Sequence, residues 1–297
     1  MNNYKDLIIK NNLIVNKITY KGKSIIINTD KGKYVIKDNA NINIYDYLLS
    51  RGFDYFPKII DYNDKYILFE YIDEIKYDIN EKAKDFIRLL SLLHTKTSYY
   101  IEISENDIKK IYEDISNKIN NNQMFYENLI DIIDTREFMS PLEYYISKNI
   151  GIILSAFNYS LSSLNNWYEK NKNNYKKRVC TLYNNIDIDN FIKSKDKSYF
   201  ISLSNTVINN PIYDLISFYN NYSLSFDFYS LLNYYEKIFP LLDNEKELFN
   251  IIISIPDIIP INYYSNDFSE VNKVIDKVYN TLNFLTSKEE KDGKTHE

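Results

Sequence analysis

Carboxamides and carboxylates crowd one short stretch of this chain, Asn184-Asn185-Ile186-Asp187-Ile188-Asp189-Asn190. Asp187 and Asp189 can accept a proton at neutral pH, whereas the carboxamides of Asn185 and Asn190 cannot. The two acids alternate with Ile186 and Ile188, a spacing that turns the acids to solvent and the isoleucines to a core. Other reactive side chains are few. Cys180 is the one cysteine, so no intramolecular disulfide can form. The two histidines, His94 and His296, cannot build a His-rich metal site. His94 sits in an apolar run and reads as a packed core histidine; His296 lies in a charged tail. Lys37 closes the apolar run Tyr34-Val35-Ile36 and by itself reads as a solvated strand-end lysine.

The elements that must position these groups change character along the chain. Leu13 to Thr19, Lys23 to Asn28 and Lys33 to Lys37 alternate as short strands, with turns at Lys21-Gly22 and Asp30-Lys31-Gly32, and together predict a meander. Asn41 to Arg51 predicts a helix stopped by Gly52. Phe56 to Asp61 and Tyr66 to Ile72 predict two more strands, the second apolar enough to be buried on both faces. After Asp73 the period is helical. Ala83 to His94 carries one apolar face, and Ser104 can cap the next helix. Ser140-Pro141-Leu142-Glu143 combines a cap, a first-turn proline and a capping-box acid. The helix after it runs to about Tyr175. Val179 to Tyr183, Phe191-Ile192 and Tyr199 to Leu203 form a short β insert. Ile212 to Tyr222, Phe226 to Phe239, Glu245 to Ile255 and Phe268 to Leu285 return to helix. The expected division is a β-rich segment 1–72 with one helix, a helical segment 73–286 with the β insert, and a disordered charged tail 287–297.

Composition narrows the partners. Of 297 residues, 44% are hydrophobic and 26% charged, which suits a folded globular chain. The net charge is −5, and Lys and Arg cluster only at Lys176-Lys177-Arg178, so no nucleic-acid partner is expected. No apolar run approaches the roughly 18 residues that span a bilayer, and no apolar signal core follows the first residues. A cytoplasmic location without a membrane partner is expected. The chain holds 30 Tyr and only 5 Gly. Its abundant Asn, Ile, Lys and Tyr share AT-rich codons, so codon bias accounts for the tyrosines as readily as function does.

The order of these segments resembles the aminoglycoside and choline phosphotransferases of the protein-kinase-like superfamily. Tyr34-Val35-Ile36-Lys37 is similar to their third-strand lysine motif, which contacts ATP phosphates. Leu68-Phe69-Glu70-Tyr71-Ile72 resembles the segment that holds adenine by its backbone, with Glu70 and Ile72 at its edge. Leu89 to His94 is similar to their apolar helix ending in Leu-His, and Leu182 to Phe191 to their catalytic loop. Asn210-Pro211-Ile212-Tyr213-Asp214-Leu215 is similar to a segment whose acid braces that loop, so the resemblance gives Asp214 a structural role. It implies an α+β, protein-kinase-like two-lobe fold with a small β-rich N-lobe and a large, mainly helical C-lobe. Arg51-Gly52-Phe53, Pro57 and the long helical insert look most like the CotS group of spore-coat-associated proteins.

The departures from that pattern bear on activity. The resemblance places a catalytic base at Asn185 and a metal-binding acid at Ser202, both neutral here; Asn190 remains where a metal-ligating Asn belongs. Only Gly22 stands in place of a glycine-rich loop, and the helix after Lys37 has Asp46 as its one acid, leaving the usual Lys–Glu pair in doubt. Phosphoryl transfer depends on positioned charge and metal-linked carboxylates. Loss of the general base alone costs about 10²–10⁴ in rate. The resemblance with its losses therefore implies a pseudokinase without catalytic residues or a working cofactor, serving as a spore-coat-associated structural or binding component. Its partners would be other spore-coat or cellular proteins. Two alternatives stay open. One is an active ATP-dependent small-molecule phosphotransferase with displaced acids at Asp187 or Asp189. The other is a module that binds nucleotide through Lys37, Glu70 and Ile72 without catalysis.

Overall fold

The computed structural model describes residues 4–38, 41–260 and 268–293, with side chains through residue 286. In chain order the elements begin α1 (Tyr4–Lys10), β1 (Val15–Lys21), β2 (Ser24–Thr29), β3 (Gly32–Asp38), α2 (Asn43–Ser50), β4 (Ile59–Tyr62) and β5 (Tyr66–Glu70). Then follow α3 (Ile79–Thr97), β6 (Tyr99–Glu102), α4 (Glu105–Asp134), α5 (Pro141–Asn171) and β7 (Lys176–Leu182). The rest are a 3₁₀ turn (Ile188–Asn190), β8 (Phe191–Lys193), β9 (Ser198–Phe200), β10 (Val207–Asn209), α6 (Ile212–Tyr222), α7 (Phe228–Glu236), α8 (Asp243–Ser254) and α9 (Phe268–Gly293). The chain divides into two compact units. The first comprises Met1–Tyr99, Cys180–Pro211 and Asn233–Phe239; the second comprises Tyr100–Val179, Ile212–Leu232 and Pro240–Glu297. Strands β1 to β5 all precede residue 72, as the change of period requires, but the compact units are not cut there.

The first unit is built on a five-stranded sheet in the order β1-β2-β3-β5-β4, antiparallel throughout. Its period-two pattern sorts side chains by face. Ile27, Ile36 and Leu68 go to a core that Leu7 of α1 closes. Ile26, Val35 and Phe69, paired across three strands, face the other way with Lys37. The apolar run of β5 is explained by its place between β3 and β4, where Ile67, Leu68 and Phe69 are buried. Gly52 ends α2 at φ +71, and Phe53 N–H reaches back to the Leu48 carbonyl at 2.9 Å, as a glycine stop should. Helix α1 has no counterpart in the sequence expectations. Seven residues do not hold a helix alone, and burial of Leu7 against the sheet supplies the stability.

A second core in this unit is aromatic. Phe200 of β9 stacks on Tyr183 at 4.1 Å between ring centroids, and Phe86 of α3 meets Tyr183, Phe191 and Phe200 edge-on. His94 is fully buried on α3 and lies 2.6 Å from the Tyr235 hydroxyl, consistent with a packed core histidine. Cys180 is a buried free thiol.

The second unit is helical. Helix α5 packs against α4, α8 and α9. Ser140 starts α5 as the sequence predicts: its hydroxyl accepts from Glu143 N–H at 3.3 Å, and the Glu143 carboxylate accepts from Ser140 N–H at 2.7 Å. At the start of α4 the Asp107 carboxylate accepts from both the backbone N–H and the hydroxyl of Ser104, each at 2.7 Å. Tyr219, Phe228, Phe249 and Phe284 form an aromatic cluster in the core. Trp167 is 3% exposed, and its indole N–H donates to the Asn244 carbonyl at 2.9 Å. Arg178 and Glu245 form a buried ion pair; Arg178 also donates to the Pro240 carbonyl, and the Glu245 carboxylate accepts from Leu242 N–H.

The tail expected to be disordered from residue 287 continues α9 as helix to Gly293. Extending a formed helix costs far less than starting one, and Lys288, Glu289, Glu290 and Lys291 are good helix formers. Residues 294–297, His296 among them, lie outside the described residues. Among the described residues, no helix is long and apolar enough to cross a membrane.

Candidate functional site

The sheet face that carries Ile26, Val35 and Phe69 is the floor of a pocket of about 560 Å³ within the first unit. The Lys21–Ser24 turn, the end of β5 through Ile72, and the segments 189–192 and 201–202 complete its walls. Five of the residues singled out from sequence meet here: Lys37, Glu70, Ile72, Asn190 and Ser202. Asp189 lines it as well.

Local structure explains how these segments are held. Tyr183 is fully buried against Phe200, and its hydroxyl donates to the Asn190 carbonyl at 3.1 Å. Asn184 takes the left-handed conformation at φ +51 that Asn tolerates, and its side chain donates to the Asn205 carbonyl at 2.9 Å. The Asp187 carboxylate accepts from Asp189 N–H at 2.9 Å and caps the 3₁₀ turn. The Asn190 carbonyl also accepts from Ile201 N–H at 3.0 Å. That bond ties the 201–202 segment to the loop of carboxamides.

Lys37 is the electrostatic centre of the pocket. Its ammonium donates to the Ile201 carbonyl and, at 3.2 Å, to Ser202 Oγ. Both partners are neutral. Burial lowers its pKa from the ordinary lysine value to about 8. Asp46, the one acid of α2, lines a different cavity of about 430 Å³ with Tyr45 and Phe56, apart from the lysine. Asn185 is half-buried and is not among the residues that line the lysine's pocket. Asp214 is 1% exposed on α6, in the second unit.

Three lysines of the pocket, Lys21, Lys23 and Lys82, are not among the sequence candidates. Lys82 is paired with Glu74 at 2.7 Å. The hairpin turn puts Lys21 and Lys23 on either side of Gly22.

No family model matches the sequence, and no curated protein does. Solved structures do match. The aminoglycoside phosphotransferase from Alicyclobacillus acidocaldarius subsp. acidocaldarius DSM 446 aligns with a TM-score of 0.65 and 10% identity, over 93% of this chain and 92% of its own. Spectinomycin phosphotransferase APH(9)-Ia, solved as its AMP-bound complex, aligns with a TM-score of 0.52 and 12% identity, over 93% of this chain and 98% of its own. The fold is that of the kinase-like phosphotransferases.

At these identities the likeness is one of fold, and the residues of this chain decide what its pocket can hold. A divalent cation beside phosphate needs charged oxygen ligands. Asn190 and Ser202 are neutral, and among the described residues no group of three or more His, Cys, Asp or Glu is placed to hold a metal. The Lys37 ammonium already lies against the Ser202 hydroxyl and would repel a second cation there. Neither Asn190 nor Ser202 offers the charged oxygen that Mg²⁺ favours.

Proposed function

We propose that this chain is a kinase-fold protein that has lost phosphoryl transfer and serves as a binding or structural component. The observation that carries the reading is the pair of neutral partners at Lys37. At the position where the resemblance puts a metal-binding acid, Ser202 offers a hydroxyl to the lysine. A hydroxyl beside an ammonium gathers no divalent metal, and without that metal the charge that develops on a transferring phosphoryl group is not stabilised. Asn185 adds a second neutral group in the same loop. The resemblance of Arg51-Gly52-Phe53 and Pro57 to the CotS group further supports a place in the mother-cell cytosol and spore coat, with other coat or cellular proteins as partners.

The test is incubation of the full chain with ATP and Mg²⁺, measuring both ADP release and phosphate transfer to small-molecule acceptors. No turnover above the protein-free background is expected. Turnover that disappears in Lys37→Ala would overturn the reading.

One observation favours a second reading, an active phosphotransferase with a displaced acid. Asp189 lines the pocket beside Asn190, whereas Asp187 is spent on capping the turn. If turnover is found and Asp189→Asn abolishes it while Asp187→Asn does not, this second reading replaces the first.

A further inference from the structure

We propose that the second cavity of the first unit, lined by α2 and β4, binds a free aromatic α-amino acid. Its side chain lies inside against Tyr45, and its two charges meet Lys58 and Glu70 at the rim. The inference goes beyond the reading above and does not depend on it, because neither Lys37 nor Ser202 lines this cavity.

The interior carries one unmatched polar group. Phe56, Ile42, Ile59 and Ile72 give the cavity apolar walls. Tyr45 completes them, only 6% exposed, its ring packed on Phe56 at 4.9 Å and on Phe69 at 5.6 Å between centroids. These contacts fix the ring and so the direction of its hydroxyl. That hydroxyl has no hydrogen-bond partner among the described residues. Burial raises its pKa, so at neutral pH it is an O–H donor. An unpaired donor this deep is costly, and an oxygen on a ligand would pair it.

The rim carries both signs of charge. Five charged side chains line the cavity, and two of them, Lys197 and Asp54, pair at 2.5 Å and cancel. Lys58, Glu70 and Asp46 have no ion partner among the described residues. Lys58 and Glu70 are neighbours, since Glu70 N–H donates to the Lys58 carbonyl at 2.9 Å. Opposite charges on adjoining backbone that do not meet leave a gap, and a ligand bearing both signs bridges it. The carboxylate of an amino acid pairs with Lys58 and its ammonium with Glu70, with Asp46 as a second acid. About 430 Å³ is in the range of small-ligand sites and has room for one aryl side chain, which meets Tyr45 and Phe56 as a third ring. A phenol at the inner end accepts from Tyr45. Tyrosine thus satisfies every unmatched group, and phenylalanine all but the hydroxyl.

The experiment is saturation-transfer difference NMR with isothermal titration calorimetry of the full chain, using L-tyrosine and L-phenylalanine. Three analogues accompany them: tyramine, which lacks the carboxylate, hydroxyphenylpropionate, which lacks the ammonium, and N-acetyltyrosinamide, which lacks both charges. Both amino acids are expected to bind, tyrosine the tighter, and each analogue about tenfold or more weaker than tyrosine. The exposed variant Lys58→Ala should weaken tyrosine about tenfold and leave tyramine unchanged. Tyr45→Phe keeps the ring packing; it should weaken tyrosine severalfold and leave phenylalanine unchanged. No binding of either amino acid at millimolar concentration would overturn the inference. So would tyramine binding as tightly as tyrosine, or Tyr45→Phe weakening both amino acids alike. N-acetyltyrosinamide binding as tightly as tyrosine would overturn it in favour of an aromatic side chain of a partner protein. Phosphate transfer from ATP would instead overturn the proposed loss of activity and leave this site standing, so the two failures are distinct.

Discussion

Two cations in this molecule are removed from water in opposite ways. In the second unit, Arg178 meets the carboxylate of Glu245, and a backbone carbonyl takes another of its donors. In the first unit, the ammonium of Lys37 meets only a carbonyl and a hydroxyl among the described residues. The first arrangement is complete and leaves nothing for a ligand. The second holds a charge out of water without its opposite, which costs stability and is tolerated where a binding partner can supply the counter-charge. Both cations are half-buried, and the identity of their partners is what separates them.

The contrast is broken most forcibly at Glu245. Glu245→Ala should cost about 3–5 kcal/mol, because it strands a buried guanidinium. Urea denaturation measures it, and a loss below about 1 kcal/mol would make the two sites equivalent. Ser202→Asp should convert the lysine's site into the other kind. A carboxylate beside Lys37 is expected to stabilise the fold by about 1–2 kcal/mol. Unchanged stability would show that the ammonium does not lack a counter-charge. Lys37→Met should change stability by less than about 1 kcal/mol in either direction, since the lost hydrogen bonds offset the removed charge. A loss as large as that of Glu245→Ala would mark Lys37 as structural.

The smallest effect is on pH dependence. Between about pH 8 and the ordinary lysine range, the unfolded chain keeps the Lys37 proton that the folded chain has released. The unfolded state then binds more protons, so this group's contribution to stability rises as pH rises through that window. The stability difference between the wild type and Lys37→Met should drift in favour of the wild type from pH 8 upward. A flat difference would contradict a lowered pKa.

Much of the scaffold was legible in the sequence. The three-strand meander, the glycine stop at Gly52, the capping box at Ser140 and helix α6 follow from turn chemistry and local period. Helix α1 was not, because seven residues carry too little periodic signal and Leu7 is held by a sheet distant in sequence. The end of α9 was missed because a charged tail with no apolar face looks like coil, although helix already formed upstream carries it forward. At the site, motif order brought Lys37, Glu70, Ile72, Asn190 and Ser202 to notice, and all five line one pocket. What no motif shows is the partner. That Lys37 turns to residues 201 and 202, 164 and 165 positions away, is a consequence of tertiary packing. The turn lysines were hidden for the opposite reason: lysine is so common in this chain that two more beside a glycine carry no signal until a pocket gathers them.

The solitary tryptophan makes this molecule its own reporter. Trp167 belongs wholly to the second unit, sealed from solvent and tethered to Asn244, while the pocket belongs wholly to the first. Indole emission thus follows the melting of one unit and is blind to the other, whereas far-ultraviolet ellipticity follows both. A ligand that shifts both signals together would show that the units unfold as one cooperative body; a ligand that shifts ellipticity while the indole trace stays put would show two separable thermal events within a single chain.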